Sequence, residues 1–367
     1  MNQKKNPPFR ADHVGSFLRS AALKEARAGR EKGKLAAADF KAIEDREVTK
    51  VIARQEEAGL RSITDGEYRR AWWHYDFIGQ LGGVKIVDAE HGIQFAGVET
   101  KAQEPRVTGK ISYKPHPMVE HFKFLKAHTK QTPKMTIPSP SMLHYRGGKK
   151  IINMGLYPDM AEYFADLGNA YHGAVQAFAD AGCRYLQLDD VTFAYFCDPR
   201  QQEMLRARGD DPKTLPGVYA GMINAAVKGR PKDMTISMHL CRGNFRSTFV
   251  ASGGYEPIAE LLFNHTDVDA YFMEWDNDRS GGFEPLRFLP KGKTVVLGLV
   301  TSKSGTLETK DELRRRIDEA AKFAPLDQLC LSPQCGFAST EEGNALTEEA
   351  QWAKLRTIVE LSQEIWG

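Results

Sequence analysis

The run Thr235-Ile236-Ser237-Met238-His239-Leu240-Cys241 reads as a short strand whose tip carries a histidine and a cysteine. Residues i and i+2 of a strand share a face, so imidazole and thiol leave the tip together, an N/S donor pair that suits Zn²⁺. A four-coordinate site needs two further donors. Glu274 ends a second apolar run, Asp269-Ala270-Tyr271-Phe272-Met273, and Cys335 ends a third, Gln328-Leu329-Cys330-Leu331-Ser332-Pro333-Gln334. If these strands share one sheet, His239, Cys241, Glu274 and Cys335 converge at successive strand tips. Cys330 is the rival to Cys335, but its place inside the run suits a buried thiol better.

Working outward, comparable runs occur near 13–16, 62–65, 135–138, 185–189 and 294–300, which makes eight candidate strands. Helical periodicity fills most of the intervals, over 21–30, 39–58, 160–181, 215–227, 258–263, 310–323 and 347–365. Gly59 and Gly182 stand where a helix would stop before the next strand. This alternation predicts an α/β fold, a (β/α)₈ TIM barrel, with 1–367 as a single catalytic barrel. No strand leads into Gly-x-Gly-x-x-Gly or a Walker A sequence, which argues against a nucleotide cofactor. The stretch 72–130 fits no simple crossover; its glycines and the alternation at Ile111-Ser112-Tyr113-Lys114 predict a β-rich insertion after the second strand, a candidate lid or partner surface.

Composition narrows the partners. The 50 Lys and Arg nearly cancel the 48 Asp and Glu, leaving a formal charge of +2 and no electrostatic case for nucleic acid or an anionic membrane. A hydrophobic content of 41% is that of a globular chain with a sizeable core. Five unevenly spaced cysteines make no disulfide framework. The first ten residues are polar and no run of eighteen apolar residues follows, so a cytoplasmic, soluble protein acting on small molecules is expected.

Barrel enzymes place their reactive groups at the C-terminal ends of the strands. Those ends read Gly15-Ser16, Asp65-Gly66-Glu67, Pro138-Ser139-Pro140, Asp189-Asp190, His239-Leu240-Cys241, Glu274, Thr301-Ser302-Lys303 and Cys335. A His/Cys/Cys set with Glu274 completing or competing for the fourth position suits a zinc that activates a substrate thiol. Two carboxylates alone would also suit a glycosidase, but that chemistry has no use for the thiols. The acidic tips Glu67 and Asp189, with Asp65 and Asp190 just behind them, fit the ammonium of an amino-acid substrate. Trp72-Trp73-His74-Tyr75 and Thr192-Phe193-Ala194-Tyr195-Phe196 offer surfaces for a flat heteroaromatic ligand, or an aromatic packing cluster. Lys303 and Arg279 are candidates to neutralise an anionic group.

The ordered set Asp12-His13-Val14-Gly15-Ser16-Phe17, Asp65-Gly66-Glu67, Leu186-Gln187-Leu188-Asp189-Asp190, His239-Leu240-Cys241 and Leu331-Ser332-Pro333-Gln334-Cys335-Gly336-Phe337 resembles the cobalamin-independent methionine synthases, in the short form of their C-terminal catalytic barrel. The resemblance implies one catalytic zinc on His239, Cys241, Glu274 and Cys335, no cobalamin, and homocysteine held by Ser16, Glu67 and Asp189. It implies a methyltetrahydrofolate donor, usually polyglutamylated, and methionine as product. A homodimer is a candidate assembly. The chain departs from the family in three places: the last acid of the fourth strand is Asp190, Thr301-Ser302-Lys303 stands where a proton-donating histidine is expected, and His144-Tyr145 stands near an expected tryptophan. Lys303 and His144 are therefore the candidate acid or donor-binding groups. Another zinc-dependent thiol alkyltransferase, of the epoxide and coenzyme M type or with a simpler methyl donor, is the nearest alternative. A metal-free decarboxylase on a related barrel and a non-catalytic zinc or amino-acid binder are more distant ones.

Overall fold

The computed structural model describes residues 4–95 and 97–367. Its strands are β1 (Ser62–Ile63), β2 (Gly82–Asp88), β3 (Gln94–Phe95), β4 (Val98–Glu99), β5 (Gln103–Ser112), β6 (Thr132–Pro133), β7 (Met135–Pro138), β8 (Tyr185–Asp190), β9 (Thr235–Leu240), β10 (Ala270–Glu274), β11 (Thr294–Val300) and β12 (Leu329–Pro333). β7 to β12 form one parallel sheet in chain order, and β1 pairs parallel with β6, which runs on into β7. Helices cover the outside, so the sheet is buried on both faces and its strands read as continuous apolar runs. The expected (β/α)₈ barrel is the observed one.

The first stave is the exception. Residues 11–15 are extended but share only one parallel bridge with β12, Ala11 to Leu331, flanked by the amide of Asp12 donating to Leu331 and the amide of Leu331 donating to Arg10. On the other side, side chains replace the ladder. Gln187 Nε2 donates to the Val14 carbonyl at 2.8 Å, Thr64 Oγ1 to that of Gly15 at 2.6 Å and Lys134 Nζ to that of His13 at 2.5 Å. The carbonyls of His13, Val14 and Gly15 are thereby satisfied without a regular strand. This matters for the site, because the same segment delivers Gly15 and Ser16 to the barrel mouth.

The helices end where local chemistry says they should. Ser20, Asp159, Thr309 and Thr347 accept hydrogen bonds from first-turn amides as N-caps. Met160–Asp180 buries Tyr163, Leu167, Ala170, Tyr171, Ala174, Val175 and Phe178, one helical stripe packed against the barrel wall. The region after β1 contains the expected β-rich excursion: β2 and β5 pair antiparallel, and β3 and β4 form a small hairpin between them. Residues 117–128 of that stretch are not strand. Pro117–His128 is a helix capped by His116 and packed on the barrel through Met118, Phe122 and Leu125, so the β-rich part closes at Ser112.

Candidate metal and substrate site

Strand parity decides which side chains reach the mouth. In the β8–β9 register Asp189 sits opposite His239 and Asp190 opposite Leu240. His239 faces inward, so Asp189 does too, and Asp190 faces the helices. There Asp190 is fully engaged: Ser141 Oγ donates to Oδ2 at 2.6 Å, while Thr192 Oγ1 and the Phe193 amide donate to Oδ1 at 2.8 and 3.0 Å. The structure gives Asp190 a scaffold position, holding the turn at Thr192–Tyr195.

His239, Cys241, Glu274 and Cys335 do converge. One ligand atom from each lies within 4.8 Å of all the others, and all four residues are buried. The two sulfurs are 3.6 Å apart, far beyond a disulfide bond and close to the edge of about 3.8 Å expected for two thiolates on a tetrahedral zinc. Neither ring nitrogen of His239 has a nitrogen or oxygen partner, although the residue is 1% exposed. A buried imidazole with no nitrogen or oxygen partner beside two thiols is the arrangement a metal ion would complete. Cys330 lies elsewhere, in the barrel interior with Val14, Tyr185, Phe272 and Val296. Gly298 lets Cys335 come in: a Cβ there would lie 2.8 Å from Gln334 Cα, the residue before the thiol.

The charge balance is that of a cluster sharing protons. Cys335 is held well below the usual thiol range by the hydrogen bond from Cys241, despite its burial and with help from His239, and Cys241 is correspondingly pushed up. Glu274 is an ionised carboxylate despite its burial, because Arg279 faces it. Arg279 Nη2 bonds its Oε2 at 2.8 Å and Asp276 at 2.9 Å, and the Arg242 amide donates to its Oε1 at 3.0 Å. Tyr255 fixes the same strand end by accepting from the Glu274 amide at 3.0 Å.

Beside the cluster, Glu67 sits in a turn with φ of 58°, its amide donating to Asp65 Oδ1 at 2.8 Å. Its carboxyl passes over Gly15, where a Cβ would lie 2.6 Å from Oε1, and pairs with Arg70. Burial pushes Glu67 up to about 8 against the pull of Arg70, with Asp189 adding to the rise. Asp189 is raised by its own burial, partly offset by His239 and Arg70, and accepts from Gln187 Nε2 at 2.8 Å. Ser16 is locked to the Cys335 loop, its carbonyl accepting from Phe337 N at 3.0 Å and its hydroxyl from Ala338 N at 3.3 Å. Ser16, Arg70 and Asp189, with His239, Cys241, Cys335, Trp73, Phe95, Val191 and Tyr195, line one cleft, while Glu67 lies on the wall of the neighbouring pocket and meets the cleft only through Arg70.

His144 and Lys303, like Asp190, are not brought to that cleft. His144 is buried among Tyr163, Phe164 and Tyr219, with Nδ1 2.8 Å from the Tyr219 hydroxyl, and burial lowers it to about 4. Lys303 spends its ammonium on Asn244 Oδ1 at 3.0 Å and the Thr248 carbonyl at 2.9 Å, pinning the loop that follows Cys241. In this arrangement neither side chain lines the cleft, although the Lys303 charge reaches Glu274 and Cys241. Arg70 and Arg146, both on the cleft wall, were not singled out from the sequence; arginine three residues beyond an acidic strand tip was the one signal for Arg70. Trp72, His74 and Tyr75 form an aromatic cluster, with Trp72 stacked on Tyr75 at 5.7 Å and Trp73 reaching the cleft.

No described helix is long and apolar enough to cross a membrane. The family described as cobalamin-independent synthase, catalytic domain, matches residues 9–363. An uncharacterized protein of Bacillus subtilis, YxjH, is 52% identical over 99% of this chain and 96% of its own length. A methionine synthase of Pyrococcus abyssi is 25% identical over 96% of this chain and 93% of its own. A crystal structure of a Listeria monocytogenes protein assigned as a vitamin-B12-independent methionine synthase superposes with a TM-score of 0.81, at 40% identity over 99% of this chain and all of that one. The chain belongs to the cobalamin-independent synthase family and is a methyltransferase.

Proposed function

We propose that the protein transfers a methyl group from a methyltetrahydrofolate, with or without a polyglutamate tail, to the thiol of homocysteine, giving methionine. The observation that carries the reading is the four-donor cluster, three of whose members, His239, Cys241 and Cys335, open onto the same cleft as Asp189, Ser16 and Arg70. Zinc on His239, Cys241, Glu274 and Cys335 would keep a substrate thiol ionised near neutral pH yet nucleophilic. The residues around it define the rest. Glu67 and Asp189 take the ammonium, Arg70 and the Ser16 turn face the carboxylate, and Trp73, Phe95 and Tyr195 exclude water. Arg279 holds Glu274 in place from behind. In the transfer the S–C bond forms as the N5–C bond breaks, the electron pair stays on nitrogen, and that nitrogen takes up a proton.

A thiol carrying only a sulfonate would bring a further anion beside Asp189 and the Glu67–Arg70 pair and no ammonium to face them, which weighs against the alkyltransferase alternative. The direct test is methionine formation by the zinc-loaded protein from homocysteine with mono- or triglutamyl methyltetrahydrofolate. Full zinc with no methionine from either donor would end the reading.

The Glu67 environment gives a separate expectation. With its carboxyl raised to about 8, Glu67 is mostly neutral at pH 7 and gains its charge as the pH rises. Attraction for a substrate ammonium should follow, strengthening by up to about tenfold per pH unit below that value and levelling above it. L-methionine, which has no ionisable thiol, is the clean probe by calorimetry. Glu67→Gln should flatten the profile and weaken binding by roughly 1.5–3 kcal/mol where the wild-type carboxylate is ionised. A flat wild-type profile would remove Glu67 from this role.

A further inference from the structure

Four backbone carbonyls converge on one buried side chain behind the cleft. Arg19 is 3% exposed, and its hydrogen bonds among the described residues all go to main-chain oxygens. Nη1 donates to the carbonyls of Phe17 at 3.1 Å and Ala338 at 2.8 Å, and Nη2 to those of Glu67 at 2.7 Å and Arg70 at 3.2 Å. These oxygens belong to three loops: the Ser16 turn, the turn that carries Glu67 and Arg70, and the loop that follows Cys335.

Backbone contacts also join the loops, but two at a time. The Phe17 amide donates to the Gly66 carbonyl at 3.1 Å, and the Phe337 amide to the Ser16 carbonyl at 3.0 Å. The guanidinium reaches all three. Its planar fork presents five N–H donors at fixed angles, a geometry that an ammonium on a flexible stem does not reproduce. The Glu67 turn needs such support, because its φ of 58° is left-handed backbone, costly for a residue other than glycine. We propose that Arg19 is a positioning residue that fixes, from behind the cleft, the mutual spacing of the Ser16 turn, the Glu67–Arg70 turn and the loop after Cys335. Its consequence for L-methionine binding rests on the amino-acid reading above; the tie itself does not.

The Arg19 charge adds a signature that packing alone would not give. Against the burial that raises it, the Glu67 carboxyl faces Arg70 and Asp65 on its own turn, Asp189 on β8, Lys134 between β6 and β7, and Arg19. The three cations favour its ionised form and the two acids oppose it. Removing Arg19 therefore moves the ionisation of Glu67 to higher pH.

The experiment uses the zinc-loaded, full-length protein. In Arg19→Met and Arg19→Lys, amide hydrogen exchange should quicken together over 15–18, 66–70 and 336–339, with β8 to β11 unchanged. Calorimetry with L-methionine across neutral pH should show binding weakened by roughly tenfold or more at pH 7 in Arg19→Met, the worth of a hydrogen bond to a charged group. The pH at which affinity levels off should also rise in that variant. Arg19→Lys keeps the charge and loses the fork, so its affinity should fall by less and its levelling pH stay where it is. Lys24→Met, a charge removed from the exposed side of the helix over 21–31, should match wild type throughout. If Arg19→Met does not fold, Arg19→Lys carries the test alone. Quickened exchange in only one of the three segments, or wild-type L-methionine affinity in Arg19→Lys, would overturn the proposal. So would lost affinity in Arg19→Met at an unmoved levelling pH, which is what general loosening would give. Concerted exchange in all three segments, with no L-methionine bound by the wild type, would support the tie while removing the amino-acid reading.

Discussion

Replacing Cys241 or Cys335 by serine is expected to strip the protein of most of its metal and all measurable methyl transfer. Wild type should carry about one zinc per chain after purification in zinc-containing buffer. Each substitution removes a direct ligand, and changes merely to the outer partners of metal ligands cost roughly 10–100-fold in affinity. The loss at Cys241 or Cys335 should therefore exceed about 100-fold. Serine keeps the volume and the hydrogen-bonding capacity, so the 3.6 Å contact between the two side chains survives in polar form and the fold should hold. Circular dichroism and denaturation would establish that, and elemental analysis the metal. Cys330→Ser is the internal control: its thiol sits in the barrel interior with Tyr185, Phe272 and Val296, so metal content should be unchanged while stability falls. Full zinc in both Cys241→Ser and Cys335→Ser would dismiss the cluster.

The sequence made the metal cluster legible because the relevant information is local. A strand tip is marked by the end of an apolar run, and parity puts His239 and Cys241 on one face whatever the rest of the chain does. Once β9, β10 and β12 share a barrel, Glu274 and Cys335 have nowhere else to point. The same parity could have excluded Asp190, had the register of β8 against β9 been known; adjacent acids on a strand cannot both face the mouth. His144 and Lys303 lie off the cleft for a different reason. Both follow strand ends in the chain, but a loop can fold either way over the mouth, and here His144 turns into the aromatic packing beneath Tyr219 while Lys303 turns to tether 243–248.

Two helices of ten residues or more lie outside the spans that periodicity marks, although their start signals are plain. His116-Pro117 and Asp198-Pro199 each put a capping side chain before a proline at the first helical position, and Pro199–Arg208 ends on Gly209 at φ of 88°. Pro199–Arg208 is largely polar, so periodicity gives little sign of it. Arg70 and Arg146 were illegible for a deeper reason. An arginine in a loop is usually solvated, and only the three-dimensional enclosure turns these two into walls of a cleft.

Asp12→Ala is expected to cost about 3–5 kcal/mol of stability, the penalty for leaving a buried charge without its partner. Asp12 is the knot that ties the irregular first stave into the barrel. Its Oδ1 accepts from the His13 amide at 2.8 Å and from Ser62 Oγ at 2.7 Å, and its Oδ2 from the Phe9 amide at 3.1 Å and the Tyr185 hydroxyl at 3.0 Å. Lys134 Nζ lies 3.4 Å from the same carboxylate, with both side chains fully buried. Burial lowers Lys134, and Asp12 is the first group holding it up. Alanine removes the counter-ion and leaves an ammonium to face the rings of Tyr185 and Phe272 at 4.8 and 4.1 Å, together with the His13 carbonyl. Cation–π contacts of about 2 kcal/mol when desolvated do not replace an ion pair with this many hydrogen bonds. Adding Lys134→Met should return a good part of the loss, because the second change removes the stranded charge; urea denaturation of the single and double variants measures both. The functional consequence follows from connectivity: residues 13–16 run from this knot to the cleft, so Asp12→Ala should weaken L-methionine binding through Ser16 while leaving the zinc ligands, which sit on other strands, loaded. A single variant within about 1 kcal/mol of wild type, below even an ordinary buried hydrogen-bond loss, would mean that the first stave is held by its neighbours' side chains alone.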